Sequence, residues 1–118
     1  MSHPNDRLRG HKLMTKELAA KLPALLSTDG QGDEAIVQVK YFTPDSSFSW
    51  YALEYDSANR IFFGWVIDDS APHFAELGSF SLDELEIVRG PLGLPVERDL
   101  YFMPKPLREA KAPHLGRS

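Results

Sequence analysis

Apolar and polar positions alternate along the middle third of this chain, and the alternation predicts a run of β-hairpins. From Ala35 to Phe42, Val37, Val39 and Tyr41 fall on one side and Gln38 and Lys40 on the other, the pattern of a half-buried strand. Thr43-Pro44-Asp45-Ser46-Ser47 is turn chemistry, because Pro44 presets a backbone angle and Asp45 can accept from nearby amides. Phe48 to Tyr55 predicts a second, aromatic strand, and Asp56 to Arg60 a second turn. Ile61 to Ile67 is apolar on both faces, so it predicts a central strand covered on both sides. Connections this short make neighbouring strands antiparallel.

Helix signals flank this meander. Thr15 is placed to cap a short helix, with Glu17 in its first turn and Leu18 and Leu22 one turn apart; Pro23 limits it. Asp29 to Asp33 reads as a flexible loop. A short fourth strand is expected at Gly78–Phe80. Ser81-Leu82-Asp83-Glu84 matches a capping box, predicting a helix with Leu82, Leu85 and Val88 inward, Arg89 at its negative end and Gly90 terminating it. Leu100 to Phe102 predicts the last strand, stopped by Pro104 and Pro106. The fold class is therefore α+β: an antiparallel meander of three to five strands with one or two short helices packed on a face. The expected organisation is a flexible leader at 1–11, one domain at 12–109 and a flexible tail at 110–118.

Composition narrows the function classes. The 118 residues suit one domain, and 42% hydrophobic content is enough for a core. Thirteen basic against seventeen acidic residues give a net charge of −4, which disfavours broad electrostatic binding to nucleic acid. With no cysteine, disulfides and thiolate chemistry are excluded. No apolar run is long enough to span a membrane and the N-terminus has no signal-peptide core, so the expected compartment is the cytoplasm.

Several words of the sequence point further. Leu13-Met14-Thr15-Lys16-Glu17-Leu18, Tyr41-Phe42-Thr43-Pro44-Asp45, Trp50-Tyr51, Glu54-Tyr55-Asp56, Phe62-Phe63-Gly64 and Phe80 to Glu86 occur in order, and the strongest is Arg89-Gly90-Pro91-Leu92-Gly93-Leu94-Pro95 running on through Glu97 to Phe102. In these words the chain, from about Lys12 to Glu109, resembles the bacterial domain of unknown function 2958 family. The resemblance implies a small protein, often encoded on plasmids, prophages and integrated elements beside conjugation or antirestriction genes. It brings no activity, cofactor or catalytic residue.

Candidate chemistry centres on Arg89 to Asp99. Two guanidinium groups, Arg89 and Arg98, and the amides of a glycine-proline loop can hold a phosphate or carboxylate. The plainer reading is that Arg89 caps a helix while Glu97, Arg98 and Asp99 neutralise one another. Asp45, Glu54, Asp56, Asp68 and Asp69 lie near strand ends; convergence of Asp45 with Asp68 or Asp69 would make an oxygen-ligand metal site, but no fixed ligand spacing is present and turn capping explains most of them. Glu54, inside an aromatic strand, needs a buried partner if it points inward, and an arginine is the expected one. His3, His11, His73 and His114 have no zinc spacing. Among the aromatics, Trp50 or Tyr51 is expected to stay exposed and the rest to form core.

The leading functional expectation is a non-catalytic binding or accessory module that contacts a protein partner, with no cofactor and no metal. Arg89, Arg98, Asp99, Glu54, Asp45 and Trp50 are its candidate binding residues. Two alternatives stand beside it: a single-stranded nucleic-acid binder using sheet aromatics with Arg89, Arg98 and Lys40, and a small hydrolase or phosphoryl-processing enzyme using Glu54 or Asp99 as base and Arg98 as anion clamp.

Overall fold

The computed structural model describes residues 3–115. Its centre is a five-stranded antiparallel sheet of β2 (Val39–Phe42), β3 (Phe48–Asp56), β4 (Ile61–Asp68), β5 (Glu76–Ser81) and β6 (Glu97–Arg98), in the order β5-β4-β3-β2-β6. The hairpins are those that the alternation predicts. Tyr41 lies opposite Trp50, Tyr51 opposite Trp65, and Gly64 opposite both Ala52 and Gly78. At the first turn, the Phe48 amide donates to Thr43 Oγ1 at 3.0 Å.

Both faces of the sheet are covered, as the two apolar sides of Ile61–Ile67 predict, although the helices were expected on one face alone. On one face Val39, Tyr41, Ala52, Tyr55 and Phe62 pack against Leu13, Leu22, Leu82, Leu85 and Val96. That cover comes from α2 (Lys16–Lys21) and α3 (Leu82–Ile87) with the strand-flanking segments. Thr15 and Ser81 cap these helices, accepting from the Leu18 and Glu84 amides at 3.2 Å each. On the other face Tyr51, Leu53, Trp65 and Ile67 pack under Ala35, Val37, Leu107 and Ala110. Here the cover is α4 (Leu107–Leu115) with a small ribbon of β1 (Ile36–Val37) and β7 (Lys105–Pro106). Most strand aromatics are therefore core; Trp50 is half-buried and Tyr51 fully buried.

Four expectations are corrected. The strand expected at 35–42 breaks at Gln38, whose amide donates to Ala52 O at 3.0 Å, so Val37 enters one core and Val39 the other. Leu100–Phe102 is no strand: the Asp99 carboxylate accepts from the Tyr101 amide at 3.0 Å and folds the chain into a turn, leaving Glu97–Arg98 to pair with β2. The segment read as a mobile leader contains α1 (Asn5–Arg9), held by buried Asn5 and Arg9. The segment read as a frayed tail continues α4 to Leu115; residues 116–118 of that expected tail lie outside the described residues.

An irregularity in β3 sets the direction of Glu54. Between the pairs Ala52↔Gly64 and Glu54↔Phe63, the strand carries an extra residue, Leu53. Such a bulge breaks the two-residue alternation. Leu53 and Glu54 consequently fall on the same face, above Phe63, and Tyr55 returns to the other core.

Candidate functional site

The glycine-proline segment is rigid because an acid from a distant turn sits inside it. Asp45 Oδ2 accepts from the Leu92 amide at 2.8 Å and the Leu94 amide at 3.2 Å. The loop closes on itself through Gly93 N–H to Gly90 O and Gly90 N–H to Leu94 O, both 2.9 Å, with Gly93 at φ 84° and an Arg89↔Pro95 bridge at its base. A side chain at Gly90 would collide with the Asp45 carboxylate, its Cβ falling 1.7 Å from Oδ1. The amides that the sequence suggested for an external anion thus hold the chain's own carboxylate.

Neither arginine is a free clamp. Helix α3 ends at Ile87, so Arg89 lies beyond it and caps nothing; its Nε and Nη2 donate to Asn5 Oδ1 at 3.2 and 2.7 Å. Val88, expected inward, is exposed. Arg98 Nε donates to Lys12 O at 3.1 Å and its amide to His11 Nε2 at 2.9 Å. Burial, reinforced by the nearby Arg98 charge, pushes the His11 imidazole below its ordinary range, which suits its role as acceptor.

Glu54 is buried at 3% exposure, but its partners are main-chain groups and a hydroxyl, not an arginine. Oε1 accepts from the Leu26 amide and Oε2 from the Thr28 amide, each at 2.8 Å, and the Thr28 hydroxyl also donates to Oε2. It lines a cavity of about 440 Å³ beneath the loop Leu25–Gly32.

The six candidates therefore divide among three places. Trp50, stacked on Phe48 with centroids 5.7 Å apart, shares a groove of about 300 Å³ with Arg89, against the Asp45-filled loop. Arg98 and Asp99 line a depression with Lys40, Phe42 and Tyr101. Glu54 faces its own cavity, so a hydrolytic site needing Glu54 and Arg98 together has no shared cavity among the described residues. Asp68 serves a turn: Ser47 and Ser70 donate to it, and these bonds hold its carboxyl below the usual range. No group of three or more acids or histidines is arranged to hold a metal among the described residues.

Two features are not apparent from the sequence. The first is a chain of hydrogen bonds that runs inward from the exposed Asp69 to His114 Nδ1 (2.7 Å) and from His114 Nε2 to the buried Tyr51 Oη (2.6 Å). With Asp69 ionised, Nδ1 carries the proton and Nε2 accepts the tyrosine hydroxyl. Trp65, Phe102 and α4 enclose the Tyr51 ring, so the chain of bonds fastens α4 to β3. The second is a set of exposed large side chains, Leu92, Leu94, Leu100, Tyr101 and Met103, on the pinned segment. Their mark in the sequence is apolar residues among prolines and glycines, where neither strand nor helix can bury them.

A family model described as "Protein of unknown function (DUF2958)" matches residues 13–109. The chain belongs to this family. The match spans the whole sheet and begins after α1, so the buried anchors Asn5 and Arg9 precede it. No curated protein and no solved structure gives a significant match. No helix among the described residues is long and apolar enough to cross a membrane.

Burial pushes the Tyr51 hydroxyl up to about 12, with the Asp69 charge adding to it, and burial also raises Tyr41 and Tyr55. The neutral form is thus favoured in the folded state. Below about pH 10 the tyrosines are protonated folded or unfolded, and their contribution is complete. Above that the unfolded chain ionises first, and stability falls by up to about 1.4 kcal/mol per pH unit for each tyrosine. Melting temperatures measured from about pH 8 to pH 11 are expected to drop only beyond the ordinary tyrosine value near 10. Tyr51→Phe should make the drop shallower; an identical slope in that variant would remove Tyr51 from the account.

Proposed function

We propose that this protein is a non-catalytic binding module whose recognition surface is the segment 88–103. One observation carries the reading: large apolar side chains stand in solvent on a backbone that cannot collapse over them. Tyr101 is 93% exposed and Leu92 81%. Beneath them Asp45 fixes the Leu92 and Leu94 amides, and the Asp99 amide is tied to Lys40 O at 2.9 Å. Exposed apolar groups held in place avoid much of the ordering cost of association, and tyrosine is favoured at the centre of protein interfaces. The partner chemistry this fits is a protein with a complementary apolar patch, with the groove beside Trp50 and Arg89 and the depression beside Arg98 and Asp99 at its margins. The mobile-element setting that the resemblance implies makes that partner a host or element-encoded protein of the cytoplasm.

The test is a double variant, Leu92→Glu with Tyr101→Glu. Both side chains are largely in solvent, so the melting temperature should stay within about 3 °C of the parent. Proteins captured from the host by the immobilised parent chain should be recovered at least about tenfold less by the variant, the effect of losing a central anchor. Identical recovery by both chains would sink this surface.

A further inference from the structure

We propose that the cavity beneath the loop Leu25–Gly32 binds a small organic cation: an ammonium group on a compact apolar body. The site is separate from segment 88–103 and stands on its own observations.

The walls are Leu25, Leu53, Phe63 and Leu77, and the acids lining it are Glu54 and Asp29. Among the described residues, no lysine, arginine or histidine lines it. At about 440 Å³ it falls within the range of small-molecule sites. Glu54 is the unusual member. Its carboxylate is almost wholly out of water, yet no basic side chain is paired with it among the described residues. Three donors, all neutral, reach its two oxygens. A carboxylate has about four acceptor positions, so one is left, and neutral donors stabilise the negative charge without cancelling it. A ligand ammonium supplies the missing charge and the missing donor while its body fills the apolar walls.

Two features of the backbone coincide at this place. The bulge at Leu53 turns Glu54 onto the cavity face, where regular alternation would aim it into the opposite core. Leu26, whose amide holds Oε1, sits at φ 74°, a left-handed conformation that leucine rarely adopts, with its side chain 79% exposed at the cavity's lip. Strain of this kind persists where the surrounding structure demands it, and it concentrates at ligand-holding loops.

The experiment titrates the isotope-labelled full chain with hexylammonium, hexanol and hexanoate, which share one apolar body and differ in charge. Amide NMR shifts are followed at Leu26, Thr28, Leu53 and Phe63. Hexylammonium should bind at least about tenfold more tightly than hexanoate, with hexanol between them. Leu77→Lys, at a half-exposed lining position, tethers an ammonium at the cavity and should weaken hexylammonium by about tenfold or more while leaving the spectrum of the fold intact. Equal affinities for the three compounds, tighter binding of hexanoate, shifts confined to other amides, or undiminished binding by Leu77→Lys would each overturn the proposal. Tighter binding of the blocked peptide acetyl-Val-Lys-Val-amide than of hexylammonium would overturn the assignment to a free small cation.

Discussion

Replacing Arg9 with alanine is expected to lower the unfolding free energy by about 3–5 kcal/mol, the range for breaking a buried ion pair on one side. Its side chain has no exposure, and all three guanidinium nitrogens are used. Nε donates to Val96 O at 2.7 Å, Nη2 to Glu86 O at 3.1 Å, and Nη1 to the Asp6 carboxylate. Alanine removes the donors and leaves their partners: the Val96 carbonyl without its arginine donor, the Glu86 carbonyl with Asn5 alone, and an acid at 11% exposure without its cation. Each orphaned group carries a desolvation penalty of its own. Arg108→Ala is the control, since its pairs with Glu34 and Glu109 lie in solvent and are worth at most about 1 kcal/mol together. Urea unfolding followed by circular dichroism checks both. A loss under about 1 kcal/mol for Arg9→Ala would refute the anchoring role.

That anchor matters for the proposed surface as well as for stability. Asn5, on the same short helix, donates to Glu86 O at 2.9 Å and accepts from Arg89. Helix α1 therefore clamps the end of α3 and the base of the loop that carries Leu92. Removing it should loosen the recognition segment before it unfolds the sheet.

The meander, its two turns and the caps at Thr15 and Ser81 were legible because each rests on interactions within a few residues. What the sequence concealed is of the opposite kind. An arginine in a polar leader reads as solvated; only the fold reveals that Val96 O and Glu86 O await it some eighty residues away. Helix α4 buries just Leu107 and Ala110 and contains Pro113, so no apolar stripe announces it. It is held by the Leu107 amide on Ala35 O, by ion pairs from Arg108 and Lys111 to Glu34 and Asp33, and by His114. At Glu54 the reasoning that an inward acid needs partners was sound, but a loop's amides satisfied what an arginine was expected to. At Asp99 a side-chain turn overrode the strand preference of Leu100-Tyr101-Phe102. The bulge did leave a trace: an isolated glycine in a strand pattern marks a bulge or a close backbone approach, and Gly64 is one.

Gly64→Ala tests that trace, and its effect is expected to match or exceed that of Arg9→Ala, at about 3–5 kcal/mol. Conformational freedom is not the reason, since Gly64 has no positive φ. Space is the reason. A Cβ there would lie 2.0 Å from Tyr51 O, 2.9 Å from Tyr51 C and 3.0 Å from Ala52 Cα. All three atoms are main chain in the central strand, with paired strands on both sides, so none can swing away as a side-chain tip would. Relief requires β3 and β4 to part next to the bulge. That displaces the register placing Glu54 against the Leu26 and Thr28 amides, and the cavity loop loses its anchor together with the sheet. Gly78→Ala supplies the comparison: it lies opposite Gly64 on β5, and a Cβ there meets nothing within 4 Å. It should be neutral or stabilising by up to about 1 kcal/mol, the usual gain over glycine inside a strand. Thermal unfolding of the two variants should separate them by more than about 10 °C, given the few degrees that each kcal/mol shifts a domain of this size. If both melt within about 2 °C of the parent, strands β3 and β4 do not approach as described, and the bulge that aims Glu54 has no support.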